Sequence, residues 1–255
     1  MNKAGLDLLP SSPSLIPIAC YLHRENVESL ESLSQDDLLN IKKWLLLVNF
    51  NGYYSARTSQ RLQRDIDTIY QESPGNPFPY KLLLKNIEKG KKTATALTRD
   101  SIAEGKDKDI LKRPNKAYLL LLYTALTDNN GNWKGKPIRE CVIEELSKAH
   151  IFPCAILSKK FLNAGVTDDE DKALAPQGVN GLGNITFMDR EENSMLKDEL
   201  PAKYLGNYSG DLLEQHFIPS EEEYWEIDEF EDFIERRTNI IIDFVKQRYN
   251  DLFTE

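Results

Sequence analysis

Gly183-Asn184-Ile185-Thr186-Phe187-Met188 is the clearest strand signal in a chain whose other periodic segments are helical, and the shorter stretch Ala149-His150-Ile151-Phe152-Pro153 precedes it. Isoleucine, threonine and phenylalanine favour extended backbone, and the leading Gly-Asn favours a turn. Asn193 follows nine positions after Asn184, in a polar segment suited to the start of a helix. This layout predicts a β-hairpin followed by a helix, near residues 140–200, that can bring His150, Asn184 and Asn193 around one metal ion.

Outside this region the apolar residues recur with a helical period. Ser34 stands before an amphipathic run and is suited to cap its N-terminus. The predicted helices run from Ser34 to about Phe50, from Thr58 to Tyr70, from Tyr80 to Glu88, from Lys116 to Leu126, and from about Ile227 towards the end of the chain. The turn-rich loop beginning at Asp128 is the best internal boundary, so the sequence predicts a mostly α (α+β) protein with a helical domain over 1–127 and a second domain over 128–255.

Composition limits the class of protein. The 255 residues are 40% hydrophobic and carry a formal net charge of -9, which is ordinary for a globular protein. The N-terminal segment is broken by prolines and lacks the apolar region of a signal peptide, and no apolar stretch is long enough to span a membrane. Three scattered cysteines do not suit a disulfide framework or a thiolate zinc site. These features predict a cytoplasmic protein with no membrane partner.

The charge is unevenly distributed along the chain. Residues 57–116 have a net charge of +6, whereas residues 171–255 have a net charge of -12. A basic segment can bind a phosphate backbone, and the acidic segment would repel it, so we expect weak DNA binding by this chain alone. The alternative is that both segments are solvated helix faces. The candidate DNA-binding residues are Arg57, Arg61, Arg64, Lys91, Lys92 and Arg113.

His150 is one of only three histidines, and its neighbours suggest a specific chemistry. A neutral imidazole can take the proton from a water that attacks a phosphodiester. A side-chain amide can hold that imidazole, through its other nitrogen or through the backbone, and a hard cation on oxygen ligands can stabilise the leaving oxygen. The alternative is that His150 is a structural residue, which is the ordinary role of a lone histidine.

The same residues resemble a known family. His-Ile-Phe-Pro at 150–153, Gly-Asn-Ile-Thr-Phe at 183–187 and the following Asn193 are similar to the HNH (His-Me finger) nuclease domain of GmrSD-type modification-dependent restriction endonucleases and related phage-defence proteins. Residues 14–19, 44–55 and 61–65 resemble the helical region that precedes that domain. The resemblance implies a helical domain joined to a small ββα-metal (HNH-like) nuclease motif, with the nuclease domain spanning 128–255.

Carried to this chain, the resemblance implies a role for each motif residue. His150 would be the general base, Asn184 the residue that orients it, and Asn193 a ligand of a divalent metal, Mg²⁺ or Mn²⁺. The family has Asp, Glu or His immediately before the histidine, where this chain has Ala149. Either Glu144, Glu145 or Asp189 then substitutes as an oxygen ligand, or metal binding is weakened; these three residues are the nearby candidates.

The resemblance also implies partners. The substrate would be DNA, possibly modified, and a nucleotide-binding domain or subunit normally lies upstream in the family. This sequence shows no trace of that domain. Gly90-Lys-Lys-Thr93 is similar to the end of a phosphate-binding loop but lacks its earlier glycine, since position 85 is lysine. The chain is therefore expected to be part of a longer protein or one subunit of a split system.

Three functions remain open at this point. The leading one is a metal-dependent DNA endonuclease module of a restriction or phage-defence system, in which His150 acts as general base. The alternative is a catalytically degenerate helical subunit for interaction or DNA docking, favoured by Ala149 and by the acidic C-terminal third. A transcriptional or RNA-binding helical protein is a third, supported only by the basic segment.

Overall fold

The structure is a computed structural model, and it describes residues 8–89, 96–103, 115–133, 135–141, 146–163 and 179–253. The helices of eight or more residues are α1 (Ile16–Arg24), α2 (Gln35–Phe50), α3 (Thr58–Gln71), α4 (Tyr80–Glu88), α6 (Lys116–Asp128), α7 (Cys154–Asn163) and α11 (Phe230–Arg248). Shorter helices are α5 (Arg99–Ala103), α8 (Arg190–Leu196), α9 (Pro201–Tyr204) and α10 (Gly210–Gln215). The strands are β1 (Asn132–Trp133), β2 (Lys136–Pro137), β3 (Leu146–His150) and β4 (Ile185–Asp189).

The prediction of a mostly α (α+β) protein is confirmed, since the described residues are mainly helical with two small antiparallel sheets. Ser34 caps α2 as predicted: its hydroxyl accepts the Asp37 N–H at 3.1 Å, and the Asp37 carboxylate accepts the Ser34 N–H at 3.2 Å. The predicted strand began two residues too early. Gly183 and Asn184 belong to a 3₁₀ turn, Leu182–Asn184, and β4 starts at Ile185.

The described residues divide into two compact units. Residues 8–89, 96–98 and 249–253 form the N-terminal unit, and the described residues between 99 and 248 form the C-terminal unit. The sequence suggested a boundary after residue 127, whereas the contacts group α6 with the chain that follows it. No described helix is both long and apolar enough to cross a lipid bilayer.

The N-terminal unit has an aromatic and aliphatic core. Trp44 on α2 is fully buried and makes edge-on contacts with the rings of Tyr53 and Tyr54. Asp65 on α3 is also fully buried, and it accepts hydrogen bonds from the Tyr54 hydroxyl at 2.7 Å and the Asn86 side chain at 3.0 Å. Burial is the largest influence on the Asp65 carboxyl and raises its pKa to about 6, despite these hydrogen bonds.

The core of the C-terminal unit lies beside β3 and β4. Its buried members include Phe152, directly after β3, and Phe230 and Phe233 of α11, whose rings contact Phe152 edge-on. Since α11 also packs against the Leu182–Asn184 turn, one long helix supports both the end of β3 and the start of β4. The candidate site is therefore built on a rigid platform of packed side chains.

Candidate active site

Two antiparallel strands followed by a helix form the frame of the candidate site. The register places His150 opposite Ile185 and Ala149 opposite Thr186. Helix α8 begins directly after β4 because the Asp189 carboxylate accepts the N–H groups of Glu191 at 2.9 Å and Glu192 at 3.1 Å. Helix α8 packs against both strands. The strands pair antiparallel and a helix follows β4, but helix α7 (Cys154–Asn163) lies between β3 and β4 in the chain, so the two strands do not form the simple β-hairpin that the sequence predicted near residues 140–200.

His150 ends β3 and is partly buried. Its Nε2 lies 3.0 Å from the Asn180 side-chain oxygen. Burial is the main cause that lowers the pKa of His150 below its usual 6.5; the Lys148 charge lowers it further and the Asn180 hydrogen bond opposes the shift. The imidazole is therefore neutral at pH 7, which is the form that can accept a proton.

Asn184 acts on the backbone around His150. It is fully buried, and its Oδ1 accepts the Phe152 N–H at 2.8 Å. Its Nδ2 donates to the carbonyls of Phe152 at 3.1 Å and Val179 at 3.0 Å, and its own carbonyl accepts the Ile151 N–H at 2.8 Å. The predicted orienting role of Asn184 would therefore operate through the two residues that follow His150, since its side-chain amide bonds to backbone groups.

Arg237 on α11 fixes the turn that carries Asn184. It is fully buried, and its guanidinium donates to the carbonyls of Leu182 at 3.1 Å, Gly183 at 2.9 Å, Ile185 at 2.8 Å and His216 at 3.0 Å. Burial lowers the pKa of Arg237 to about 9, so it remains a cation at neutral pH. One side chain thereby satisfies four backbone acceptors between the turn, β4 and the end of α10.

Gly183 allows the turn to approach α11 closely. A Cβ at this position would lie 2.5 Å from the Ile234 carbonyl oxygen and 2.7 Å from the Thr238 hydroxyl oxygen. Backbone cannot yield as a flexible side chain can, so any larger residue would push the turn away from the helix. The glycine of the Gly-Asn pair is therefore required by packing.

Asn193, the predicted metal ligand, lies half-buried on α8. Asp189 stands four positions before it as the N-cap of α8, where its carboxylate accepts the N–H groups of Glu191 and Glu192. Carboxamide and carboxylate oxygens are donors that suit Mg²⁺ and Mn²⁺. Within the described part of the chain there is no group of three or more His, Cys, Asp or Glu residues that could hold a metal ion. Glu144 and Glu145, the other proposed substitutes, lie outside the described residues.

Ala149 packs into an apolar cluster. It is 2% exposed and contacts a group that also contains Trp133, Met188 and Leu212. Because neighbouring side chains of a strand point to opposite faces, the side chains of Ala149 and His150 diverge. An acidic residue at position 149 would enter this cluster, so the structure gives a packing reason for alanine there.

His216, in contrast to His150, has the environment of a structural histidine. It is fully buried between the Thr186 hydroxyl, 2.8 Å from Nδ1, and the Asn132 carbonyl, 2.9 Å from Nε2. Burial lowers its pKa to about 4. Both ring nitrogens are engaged, so His216 supports the fold and is unsuited to proton transfer.

The predicted DNA-binding arginines lie in the N-terminal unit. Arg57 is the residue before α3 and has a left-handed backbone conformation, with φ of 52°, whereas Arg61 and Arg64 lie three positions apart on one side of the helix. The Arg61 guanidinium lies 4.8 Å from the centre of the Tyr53 ring, while Arg57 and Arg64 are exposed. Lys91, Lys92 and Arg113 lie outside the described residues.

Sequence reasoning missed Asn180, Arg237 and His216. The sequence did contain a sign of Arg237, because this residue lies on the apolar face of α11 together with Phe230, Phe233 and Ile241. A charged residue on a buried apolar face is unfavourable unless it has buried hydrogen-bond acceptors. Asn180 contacts His150 and His216 contacts Thr186, in each case 30 positions away along the chain, so no local sequence pattern indicates these contacts.

Comparison of the chain with models of known protein families and with curated protein sequences finds no match.

Proposed function

We propose that this chain is a metal-dependent DNA endonuclease module of a restriction or phage-defence system, with His150 as general base. The observation that supports it most is the state of His150. Its imidazole ends a strand, is kept neutral by burial, and is held at one nitrogen by Asn180. A neutral, oriented imidazole at the edge of a strand pair is equipped to remove a proton from water.

In the proposed reaction His150 takes a proton from the water that attacks the phosphorus of a phosphodiester. Asn184 and Arg237 keep the strand ends and the turn in place, so that the imidazole does not have to reorganise during proton transfer. Asn193, together with the Asp189 carboxylate at the N-terminus of α8, would hold the cation. When bound, Mg²⁺ or Mn²⁺ supplies positive charge that stabilises the leaving oxygen.

The test is cleavage of plasmid DNA, modified and unmodified, by the purified chain with Mg²⁺ or Mn²⁺. His150→Ala should lower the cleavage rate by about 10²–10⁴-fold, because a positioned base contributes roughly that factor. His23→Ala is the matched control, since His23 is exposed and belongs to the N-terminal unit. Equal activity of wild type and His150→Ala would rule out the assignment of the base.

The pH dependence gives a second test. Only neutral His150 can act as the base, so kcat/KM should rise with pH and level off above a pKa that lies below 6.5. A rate that keeps rising through pH 8 would point to a different base.

We propose that Arg57, Arg61 and Arg64, at the start of α3 and directly before it, bind DNA. Replacing exposed Arg57 and Arg64 by Glu should weaken binding to all DNA sequences alike and reduce the salt dependence of the affinity, because fewer counterions are released. Reversal of exposed Lys81 and Lys85 on α4, also in the N-terminal unit, is the control for net charge. Equal loss of affinity in both double variants would show that total charge, not these arginines, controls binding.

A non-catalytic interaction or DNA-docking subunit is the second candidate. It is favoured by the apolar packing of Ala149 and by the lack of an acidic or histidine cluster among the described residues. If wild type and His150→Ala are equally inert with every divalent metal, on modified and unmodified DNA, this function replaces the first.

A further inference from the structure

We propose that Asn180 is the residue that positions His150: its side-chain oxygen accepts the hydrogen on Nε2 and leaves Nδ1 as the nitrogen that takes the proton. As a step in catalysis this rests on the proposed nuclease function, whereas the hydrogen bond itself can be tested without any activity.

The contact joins two parts of the chain 30 residues apart, with Nε2 of His150 3.0 Å from Oδ1 of Asn180. An amide oxygen can only accept, so the ring nitrogen that faces it must carry the hydrogen. A neutral imidazole has one N–H, and Nδ1 then holds the lone pair. Within the described residues Nδ1 has no polar partner, in contrast to the same nitrogen of His216, which faces the Thr186 hydroxyl.

Asn184 holds both members of this pair. Its Nδ2 donates to the carbonyl of Val179, the residue before Asn180, and to the carbonyl of Phe152, two residues after His150. The Asn184 N–H also donates to the Gly181 carbonyl at 3.1 Å, which closes the turn that follows Asn180. The amide of Asn184 therefore fixes the backbone on either side of the contact, and Asn180 makes the contact itself.

The arrangement favours proton transfer to Nδ1. In the proposed step the O–H bond of water breaks, its proton moves to Nδ1, and the oxygen forms the new bond to phosphorus as the bond to the leaving oxygen breaks. The ring becomes a cation, and a hydrogen bond from a charged donor is stronger than one from a neutral donor. The Nε2–H bond to Asn180 is thus strengthened as the proton arrives, while the neutral ring is kept in one orientation beforehand.

The test follows the imidazole N–H protons by NMR in chain labelled with ¹⁵N-histidine. A hydrogen-bonded ring N–H exchanges slowly enough with water to be observed, and two such signals are expected, from Nε2 of His150 and Nε2 of His216. His150→Ala identifies the His150 signal. Asn180→Ala should remove that signal and leave the His216 signal unchanged, whereas Asn180→Asp, which keeps an acceptor oxygen, should retain both.

Each result decides the proposal. A His150 N–H that remains protected in Asn180→Ala overturns it. If Asn180→Ala loses both signals the variant has not folded, and Asn180→Asp decides: retention of the His150 signal supports the proposal, and loss of that signal alone overturns it. If Asn180→Asp also loses both signals, the tautomer of His150 in the wild type decides: a hydrogen on Nε2 supports the proposal, and a hydrogen on Nδ1 overturns it. Asn207→Ala, at an exposed turn elsewhere in this unit, is the neutral control.

Activity gives a separate readout. If the chain cleaves DNA, Asn180→Ala should lower kcat by about 10–100-fold with little change in KM, and Asn180→Asp should restore most of it, because a residue that orients a catalytic group acts on the chemical step. If the NMR result is as expected and no variant cleaves DNA, the positioning of His150 stands and the nuclease function fails. An unchanged kcat in Asn180→Ala, in a chain that is active and has lost the His150 signal, would show that the contact has no part in catalysis.

Discussion

Replacing Asn184 by alanine should destabilise the C-terminal unit strongly. The side chain is fully buried and makes three hydrogen bonds to backbone groups, with the Phe152 N–H at 2.8 Å and with the carbonyls of Phe152 at 3.1 Å and Val179 at 3.0 Å. A buried polar group left without a partner costs about 1–3 kcal/mol, so the loss of all three partners is roughly 3–9 kcal/mol. That is a large part of the stability of a typical domain, about 5–15 kcal/mol.

Urea denaturation followed by far-ultraviolet circular dichroism measures this loss, and hydrogen exchange locates it. The Phe152 amide donates to Asn184 Oδ1 and should exchange much faster in the variant. Asn184→Asp is the closest isosteric change: it keeps an acceptor for Phe152 N–H but turns the donor into an oxygen facing two carbonyls, so it should be at least as destabilising. Exposed Asn207→Ala should stay within about 0.5 kcal/mol of wild type.

A small loss of stability would contradict this role of Asn184. If Asn184→Ala loses less than about 1 kcal/mol and the Phe152 amide keeps its protection, the three hydrogen bonds do not hold the turn to the end of β3. In that case Asn184 would not orient His150 through the backbone of the residues that follow it.

Three further predictions concern single residues. Gly183→Ala should cost about 1–3 kcal/mol, seen as a lower Tm, because its Cβ would lie 2.5 Å from the Ile234 carbonyl; an unchanged Tm would mean that the turn can move off α11 freely. The pKa of Asp65 is raised from 3.8 to about 6 in the folded chain, so the free energy of unfolding should fall by on the order of 3 kcal/mol as pH rises from about 4 to 6. Asp65→Asn should remove this pH dependence of the free energy of unfolding. If the pH dependence persists in Asp65→Asn, other groups cause it. Ala149→Asp places a carboxylate in an apolar cluster, so we expect a lower free energy of unfolding in EDTA and no gain in cleavage; higher activity or tighter metal binding would instead show that position 149 faces the metal.

Short-range patterns in the sequence were sufficient for much of the fold. The Ser34 cap, the helix over Tyr80–Glu88 and the buried helix starting at Lys116 all lie where the periodicity and capping residues place them. Such signals work because a helix is closed by hydrogen bonds between residues four positions apart, so the information lies within one or two turns. The last helix begins at Phe230, three residues later than expected, since Ile227–Glu229 forms a 3₁₀ turn ahead of it.

The sequence by itself also singled out His150, Asn184 and Asn193, and it placed a strand and a following helix around the last two. It did not determine which groups these side chains contact. Two contacts follow only from the pairing of β3 with β4 and from the Leu182–Asn184 turn before β4. They are the hydrogen bonds of Asn184 to Phe152 and Val179, and the contact of the imidazole with Asn180.

The tertiary structure alone decided the environment of the polar residues. Arg237 reaches carbonyls 52 to 55 positions away, and Asp65 is bonded to an asparagine 21 positions along the chain. Whether such groups are solvated, paired or raised in pKa depends on what packs around them, and burial of a charge costs far more than any local preference contributes. The helices could therefore be predicted from the sequence, whereas the environment of the His150 imidazole depends on chain segments that come beside it only in the folded structure.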